Sequence, residues 1–293
     1  MNPQHKAGFV SIVGKPNVGK STLMNRLVGE NLSIISPKAQ TTRHRIMGML
    51  NTDDYQIVYS DTPGILEPKY ALHEAMMNYV KVSLEDADVV LLVIEYGEKF
   101  DPVLHERFKS MMVPILLLVN KVDKAPRTDR KVIIDYWKSA LPVKEVIPVS
   151  ALTGENVEQI LPALLNLLPL HPGYFPKDDL TNRSERFFAS EIIREKIFYN
   201  YNQEIPYSTE VGIEDFKDEE KLIRIRATLF VERDSQKGIL IGKAGSSLKK
   251  VGTQAREDME RFFGKKVFLE THVKVASDWR KQKEKLRMFG YLE

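Results

Sequence analysis

Eight residues near the start of the chain, Gly14-Lys15-Pro16-Asn17-Val18-Gly19-Lys20-Ser21, leave it few folds to choose from. They match G-x-x-x-x-G-K-S/T, a loop that works only where the end of a strand runs into the start of a helix. The apolar run at residues 9–13 precedes it and an amphipathic stretch follows. Glycines at 14 and 19 let the backbone wrap closely around phosphate oxygens and present N–H donors at a helix N-terminus. Lys20 is expected to bridge β- and γ-phosphate oxygens, and the Ser21 hydroxyl to ligate magnesium. Lys15, Asn17, Val18 and Thr22 are the further positions of this nucleotide-binding loop.

Strand-length apolar runs recur at residues 56–60, 89–94, 115–119 and 146–149, with amphipathic segments between them. That alternation predicts an α/β fold, a mostly parallel sheet covered by helices on both faces. Such sheets bind ligands beyond the carboxyl ends of their strands, and four motifs directly follow one of these runs. Near Leu168 the pattern breaks. Residues 169–176 hold three prolines and a glycine, which cannot continue a helix. We divide the chain into a domain at 1–170, a linker at 171–182 and a smaller α+β domain at 183–293. The last reads as a helix at 184–201, strands at 209–216 and 222–232, a helix at 246–263 and a strand at 266–275.

Composition narrows the chemistry. With no cysteine in 293 residues, disulfides, thiol nucleophiles and cysteine-bearing metal sites are excluded. No run approaches the roughly 18 apolar residues of a membrane span. The first eight residues lack an apolar signal core, so the protein is expected in the cytoplasm.

Asp61-Thr62-Pro63-Gly64 follows the run at 56–60. A carboxylate there can hold magnesium through water, while the Gly64 N–H meets the γ-phosphate. Asn120-Lys121-Val122-Asp123 decides the base. The Asp123 carboxylate can accept from both N1–H and the 2-amino group of guanine, and adenine offers neither donor. A buried polar group left unpaired discriminates by about 10⁴-fold in comparable sites. Asn120 supports the loop, the Lys121 stem covers the ring, and the segment Ser150-Ala151-Leu152 offers a backbone N–H to guanine O6. Between these motifs lies the polar, basic stretch at residues 40–45. A threonine hydroxyl there completes the magnesium shell only when a γ-phosphate is present, which would order the segment and release it on hydrolysis. Thr42 is the choice and Thr41 the fallback. Lys20, Thr42 and Gly64 are the residues expected to act on the reaction.

Residues 14–152 thus resemble a small-GTPase domain of the translation-factor-related class, and the loops at 14–21 and 61–64 resemble its Era branch. The second domain extends the match. Ile239-Leu240-Ile241-Gly242-Lys243-Ala244-Gly245, followed by Ser-Ser-Leu-Lys249-Lys250, resembles the G-x-x-G loop of a KH domain. The helix and two strands before it suit the α-β-β-α-α-β order of the bacterial KH type. The resemblance covers nearly the whole chain. It implies a P-loop GTPase domain followed by a KH domain, with GTP and GDP as ligands. It also implies binding to small-subunit ribosomal RNA, and a role in assembling the small ribosomal subunit. In many signalling GTPases a glutamine after Asp-x-x-Gly orients the attacking water; here Ile65 stands there, so slow intrinsic hydrolysis is expected. The resemblance further implies a potassium ion near the β- and γ-phosphates, held with the help of Asn17.

Charge agrees with an RNA-binding second domain. From Lys221 on, 18 lysines and arginines stand against 9 acidic residues, a net +9, so the preceding residues carry −6. In a KH loop two glycines let the backbone approach single-stranded RNA, with Lys243 near phosphate and Ile239 and Ile241 against bases. Lys249 and Lys250 add phosphate contacts, and the basic run at 280–287 reads as a solvated helix face. Two other readings stay open. One is a nucleotide-independent RNA-binding module with a vestigial GTPase domain. The other is a GTPase of tRNA modification, whose C-terminal cysteine and extra helical domain are absent here. Nothing in the sequence specifies an oligomer, so a monomer is assumed. Peripheral contact with the inner face of the cell membrane is left open, since the basic terminus suits it but no lipidation motif accompanies it.

Overall fold

The computed structural model describes residues 4–292. Contacts divide it into two units. The first holds the residues up to Ser33, Thr42–Glu67 and Met76–Asn182; the second holds Ile34–Thr41, Pro68–Ala75 and the residues from Arg183 on.

The apolar runs of the first unit become strands, and the stretches between them become helices. In chain order these are β1 (Lys6–Val13), α1 (Lys20–Val28), β2 (Ile46–Asn51), β3 (Tyr55–Asp61), α2 (Ala71–Glu85), β4 (Val89–Glu95), α3 (Pro102–Lys109), β5 (Ile115–Asn120), α4 (Arg130–Ala140), β6 (Glu145–Pro148) and α5 (Ile160–Leu167). The sheet order is β2-β3-β1-β4-β5-β6. All neighbours are parallel except β2, which pairs antiparallel with β3 at the edge. Every residue of β5 is buried, as are the first six of β4, because a parallel sheet flanked by helices has no wet face. Phe108, Trp137, Val90, Leu117 and Val119 belong to one apolar cluster on this sheet. Strand β1 lies between β3 and β4, so the chain leaves β1 and β3 toward opposite sides. That reversal opens a crevice at their carboxyl ends, where ligands of such sheets bind. Local chemistry starts the helices: before α3, the Asp101 side chain accepts from Val103 N–H, with Pro102 at the first helical position.

The proline-rich stretch after α5 is fastened to the first unit. Leu170 bridges Lys6 and Thr181 bridges Gly48. Gln56 Nε2 donates to the Phe175 carbonyl at 2.8 Å, while its Oε1 accepts from the N–H groups of Tyr174 and Phe175.

The second unit continues with α6 (Glu185–Asn200), α7 (Ile205–Ser208), β7 (Glu210–Asp218), β8 (Leu222–Val231), α8 (Asp234–Ile241), α9 (Ser246–Phe263), β9 (Lys266–Val275) and α10 (Lys283–Met288). Strands β7 and β8 are antiparallel, β8 and β9 parallel. A parallel pair needs a long crossover, and α8 with α9 supplies it. Ile193, Ile197, Ile225, Leu229, Leu240 and Val251 share its core. Inside α6 the Arg194 guanidinium and the Glu191 carboxylate are both buried and paired at 2.5 Å. The expectation of a solvated face at 280–287 holds for Lys283 and Arg287, which are exposed, but not for the whole run. Leu286 is buried, and Arg280 pairs with Glu232 at 2.5 Å while lying over the Tyr70 ring.

Candidate functional site

The residues from 14 to 21 form the turn from β1 into α1, with Asn17 at the exposed tip in the left-handed region (φ 63°). Asparagine tolerates that conformation better than most side chains. Lys20 is buried under the loop, where its Nζ donates to the carbonyls of Gly14 (3.3 Å) and Lys15 (2.9 Å). Burial pushes the ammonium down to about 8, against the opposing charge of Asp61. A cation held this way gains strongly from an incoming phosphate. The Lys15 side chain points elsewhere, to Glu98 (3.1 Å) and Asp101 (3.3 Å), so only its backbone belongs to the loop.

Three oxygens chosen from sequence as magnesium ligands meet at the start of α1. Ser21 Oγ donates to Asp61 Oδ2 at 2.7 Å and lies 2.9 Å from Thr42 Oγ1. Asp61 is fully buried, and burial raises its carboxyl above the usual range although Lys20 and nearby hydroxyls draw it down. Its Oδ1 has no hydrogen-bond partner among the described residues. A buried carboxylate oxygen beside two hydroxyls is a donor set for a hard cation. Thr41, the fallback, turns to the Lys38 carbonyl instead (2.7 Å).

The loop after β3 is pinned to the one after β1. Ile65 N–H donates to the Gly14 carbonyl at 3.0 Å. A Cβ on Gly64 would stand 2.6 Å from the backbone of Pro16, so only glycine allows this approach. Ile65 is buried in the apolar cluster of the sheet, which leaves it no role toward water.

Asn120 joins the remaining loops. Its Nδ2 donates to the Val18 carbonyl at 2.7 Å and its Oδ1 accepts from Ala151 N–H at 2.8 Å. Asp123 is exposed and receives the Ser150 hydroxyl at 2.6 Å, which orients the carboxylate. The Ala151 N–H is thus committed to Asn120 and the Ser150 N–H to Glu155. A guanine O6 at this loop would share the Ala151 donor with Asn120. Lys121, in the left-handed region at φ 66°, is held by Glu95 at 2.8 Å. Sequence reasoning missed Arg26, whose guanidinium donates to the carbonyls of Ala151 and Leu152, both at 2.8 Å, and fixes that loop from α1. The partners lie 125 and 126 positions away, so no local pattern could signal them.

In the second unit α8 ends at Gly242 (φ 74°), a short turn spans Lys243–Gly245, and α9 begins after Gly245. A Cβ on Gly242 would come within 2.2 Å of Ser247 Oγ. The loop presents Lys243 and Ala244 to solvent, beside the exposed Lys249 and Lys250. Ile239 is exposed and Ile241 half-buried against the core, so only Ile239 is fully free to meet a base. The backbone N–H groups opening the 18-residue α9 favour an anion.

Phosphate, cation and purine are therefore met by one end of one sheet, which makes the first unit a P-loop GTPase; the second has the chain order and loop of a KH domain. Residues 9–121 match the family of 50S ribosome-binding GTPases, and residues 204–280 match the KH domain. A solved structure of Era in complex with MgGDPNP and nucleotides 1506–1542 of 16S ribosomal RNA is 40% identical, with TM-score 0.95, and covers 99% of this chain and 100% of that one. A variant of Aquifex aeolicus Era bound to GDP·AlF4⁻ is also 40% identical, with TM-score 0.94 over 98% of this chain and 100% of that chain. The chain belongs to the Era family of GTPases. Among the described residues no helix is long and apolar enough to cross a membrane.

Proposed function

We propose that the protein is a GTP-hydrolysing switch whose KH unit binds single-stranded RNA of the small ribosomal subunit, and that it acts in assembling that subunit. The observation that carries this is the pairing of a guanine-reading phosphate site with a G-x-x-G loop, in a chain similar throughout to Era bound to MgGDPNP and 16S ribosomal RNA. Asp123 and Asn120 select guanine, the loop from Gly14 to Thr22 holds the phosphates, and Lys20 neutralises them. Ser21, Thr42 and Asp61 fit Mg²⁺, which when bound stabilises charge on the phosphate oxygens. Thr42 and the Gly64 N–H report the γ-phosphate. With Ile65 buried, no side chain next to Gly64 positions the water, so hydrolysis is slow until another group helps. We assign part of that help to K⁺ held by Asn17 at the loop tip; equal turnover in potassium and sodium buffers, with and without RNA, would remove this assignment. RNA is met by Gly242, Lys243, Ala244 and Gly245, with Lys249 and Lys250 on phosphates and Ile239 and Ile241 toward bases. The same reading makes the protein a cytoplasmic monomer. Any contact with a membrane would rest on exposed basic residues of its terminus without an apolar anchor.

In-cell RNA crosslinking tests the proposal. Native protein should crosslink near the 3′ end of small-subunit ribosomal RNA, the variant carrying Gly242→Asp and Gly245→Asp should lose these crosslinks, and Asp123→Asn should change their pattern. Crosslinks that are absent, or that survive the glycine changes, would leave only the GTPase.

A further inference from the structure

Residues 34–41 immediately precede Thr42, and by their contacts they belong to the second unit. Lys38 makes the principal bonds. Its Nζ donates to the Phe198 carbonyl at 2.5 Å and to the Tyr201 carbonyl. Both carbonyls lie at the end of α6, where the last turn of a helix has acceptors with no partner of its own. The ammonium satisfies them and faces the negative end of the helix dipole. Ile35 N–H adds a bond to Glu195 on the same helix (3.3 Å).

Tyr201 carries the connection onward. Its ring is buried, and its hydroxyl donates to the Leu240 carbonyl at 2.6 Å. Leu240 is the fully buried residue two positions before Gly242, in the last turn of α8. Burial raises the Tyr201 phenol to about 12, although Ser247 draws it down, so the hydroxyl keeps its proton and stays a donor. Ser247 is also the residue against which Gly242 closes. One residue therefore accepts from Lys38 through its carbonyl and donates to the G-x-x-G arm through its side chain. On the other side of Lys38, its own carbonyl accepts from Thr41, the residue before the cation ligand Thr42.

We propose that Lys38 and Tyr201 are positioning residues that set the G-x-x-G loop according to the state of residues 34–41, so that RNA affinity follows the γ-phosphate through this hydrogen-bonded relay. The inference rests on the reading above that the loop binds single-stranded RNA and that Thr42 meets the cation only with GTP. Neither side chain touches nucleotide or RNA. Losing either bond releases the loop from the segment, not from its ligand.

The test measures the affinity of the full chain for RNA with the sequence of nucleotides 1506–1542 of 16S ribosomal RNA, once with GDPNP and once with GDP. Wild type should bind the two states with affinities differing by about tenfold or more. Tyr201→Phe, which removes one oxygen, and Lys38→Met should each cut that ratio about fivefold, the worth of one hydrogen bond. GDP affinity of Tyr201→Phe should stay at the wild-type value, and Lys38→Arg should restore most of the ratio. A wild-type ratio in folded Tyr201→Phe and Lys38→Met overturns the relay and leaves the RNA reading intact. RNA binding weakened equally in both nucleotide states also overturns it, because Tyr201 would then only brace the loop. If Tyr201→Phe fails to fold, Lys38→Met alone decides between these outcomes, since Lys38 is only half-buried. Wild type that ignores this RNA, or binds it equally in both states, removes the functional reading and the relay with it.

Discussion

Asp61 is a carboxylate whose second oxygen has no hydrogen bond inside the protein. Burying a charge is costly unless it is paired, and its raised pKa records that cost. A divalent cation removes it. Replacing Asp61 by Asn keeps the shape and drops the charge, so the gain in nucleotide affinity on adding magnesium should shrink by about tenfold or more, read from fluorescent GDP titrations with and without EDTA. Asp123 offers a complementary case. Asp123→Asn exchanges an acceptor for a donor, so GTP binding should weaken by at least about 10²-fold. Xanthosine triphosphate, with a carbonyl where guanine has its amino group, should gain; competition between the two nucleotides reads the change directly. These side chains were legible because each sits in a short motif next to a strand. Arg26, Glu95 and Glu98 were not, because they act on loops brought near by the sheet. The Ala151 N–H was legible as a donor, but its commitment to Asn120 depends on geometry that sequence spacing does not carry.

Among the elements, legibility follows pattern strength. The runs that became β4 and β5 were unmistakable because burial on both faces forces unbroken apolar residues. Helix α9 was read to its bounds, 246–263, since Gly245 and Gly264 close its ends in left-handed conformation. Helix α8 was harder: it has eight residues, Gly238 inside and no apolar period, so the arm of the G-x-x-G loop merged with the turn after β8. Strand β2 showed only as a short run at the sheet edge. Helix α6 hides its main liability in the same way, because Glu191 and Arg194 look like surface charges in sequence. Burial works against the Arg194 charge, but pairing with Glu191 outweighs it and holds the guanidinium protonated. Glu191→Ala strands that guanidinium and should destabilise the second unit by about 3 kcal/mol. Breaking the exposed Arg224–Glu219 pair should cost at most about 0.5 kcal/mol. Urea unfolding followed by Trp279 fluorescence in a Trp137→Phe background separates the second unit from the first, because each tryptophan is buried in a different unit.

For the whole molecule, charge has to be counted where it is free. The basic excess from Lys221 on was plain in composition, yet the structure neutralises much of it. Lys265 pairs with Asp218, Lys274 with Glu214, Arg256 with Glu260 and Arg280 with Glu232. Lys243, Lys249 and Lys250, around the G-x-x-G loop, are exposed and make no ion pair among the described residues. Counterions condensed on RNA are released by the cations that reach phosphate, and each contributes about 0.7 to the slope of log affinity against log salt for a single strand. Changing Lys249 and Lys250 to Ala should therefore lower that slope by about 1.4 and weaken every RNA sequence alike. Arg280→Ala removes the same unit charge from the same basic region, but from a side chain already spent on Glu232, so the slope should not move. The two variants are compared by titrating RNA across potassium chloride concentrations at fixed GDPNP. If Arg280→Ala lowers the slope as much per charge as the lysines do, RNA responds to the net charge of the region and not to the loop. The RNA site would then have to be drawn more widely than residues 239–250.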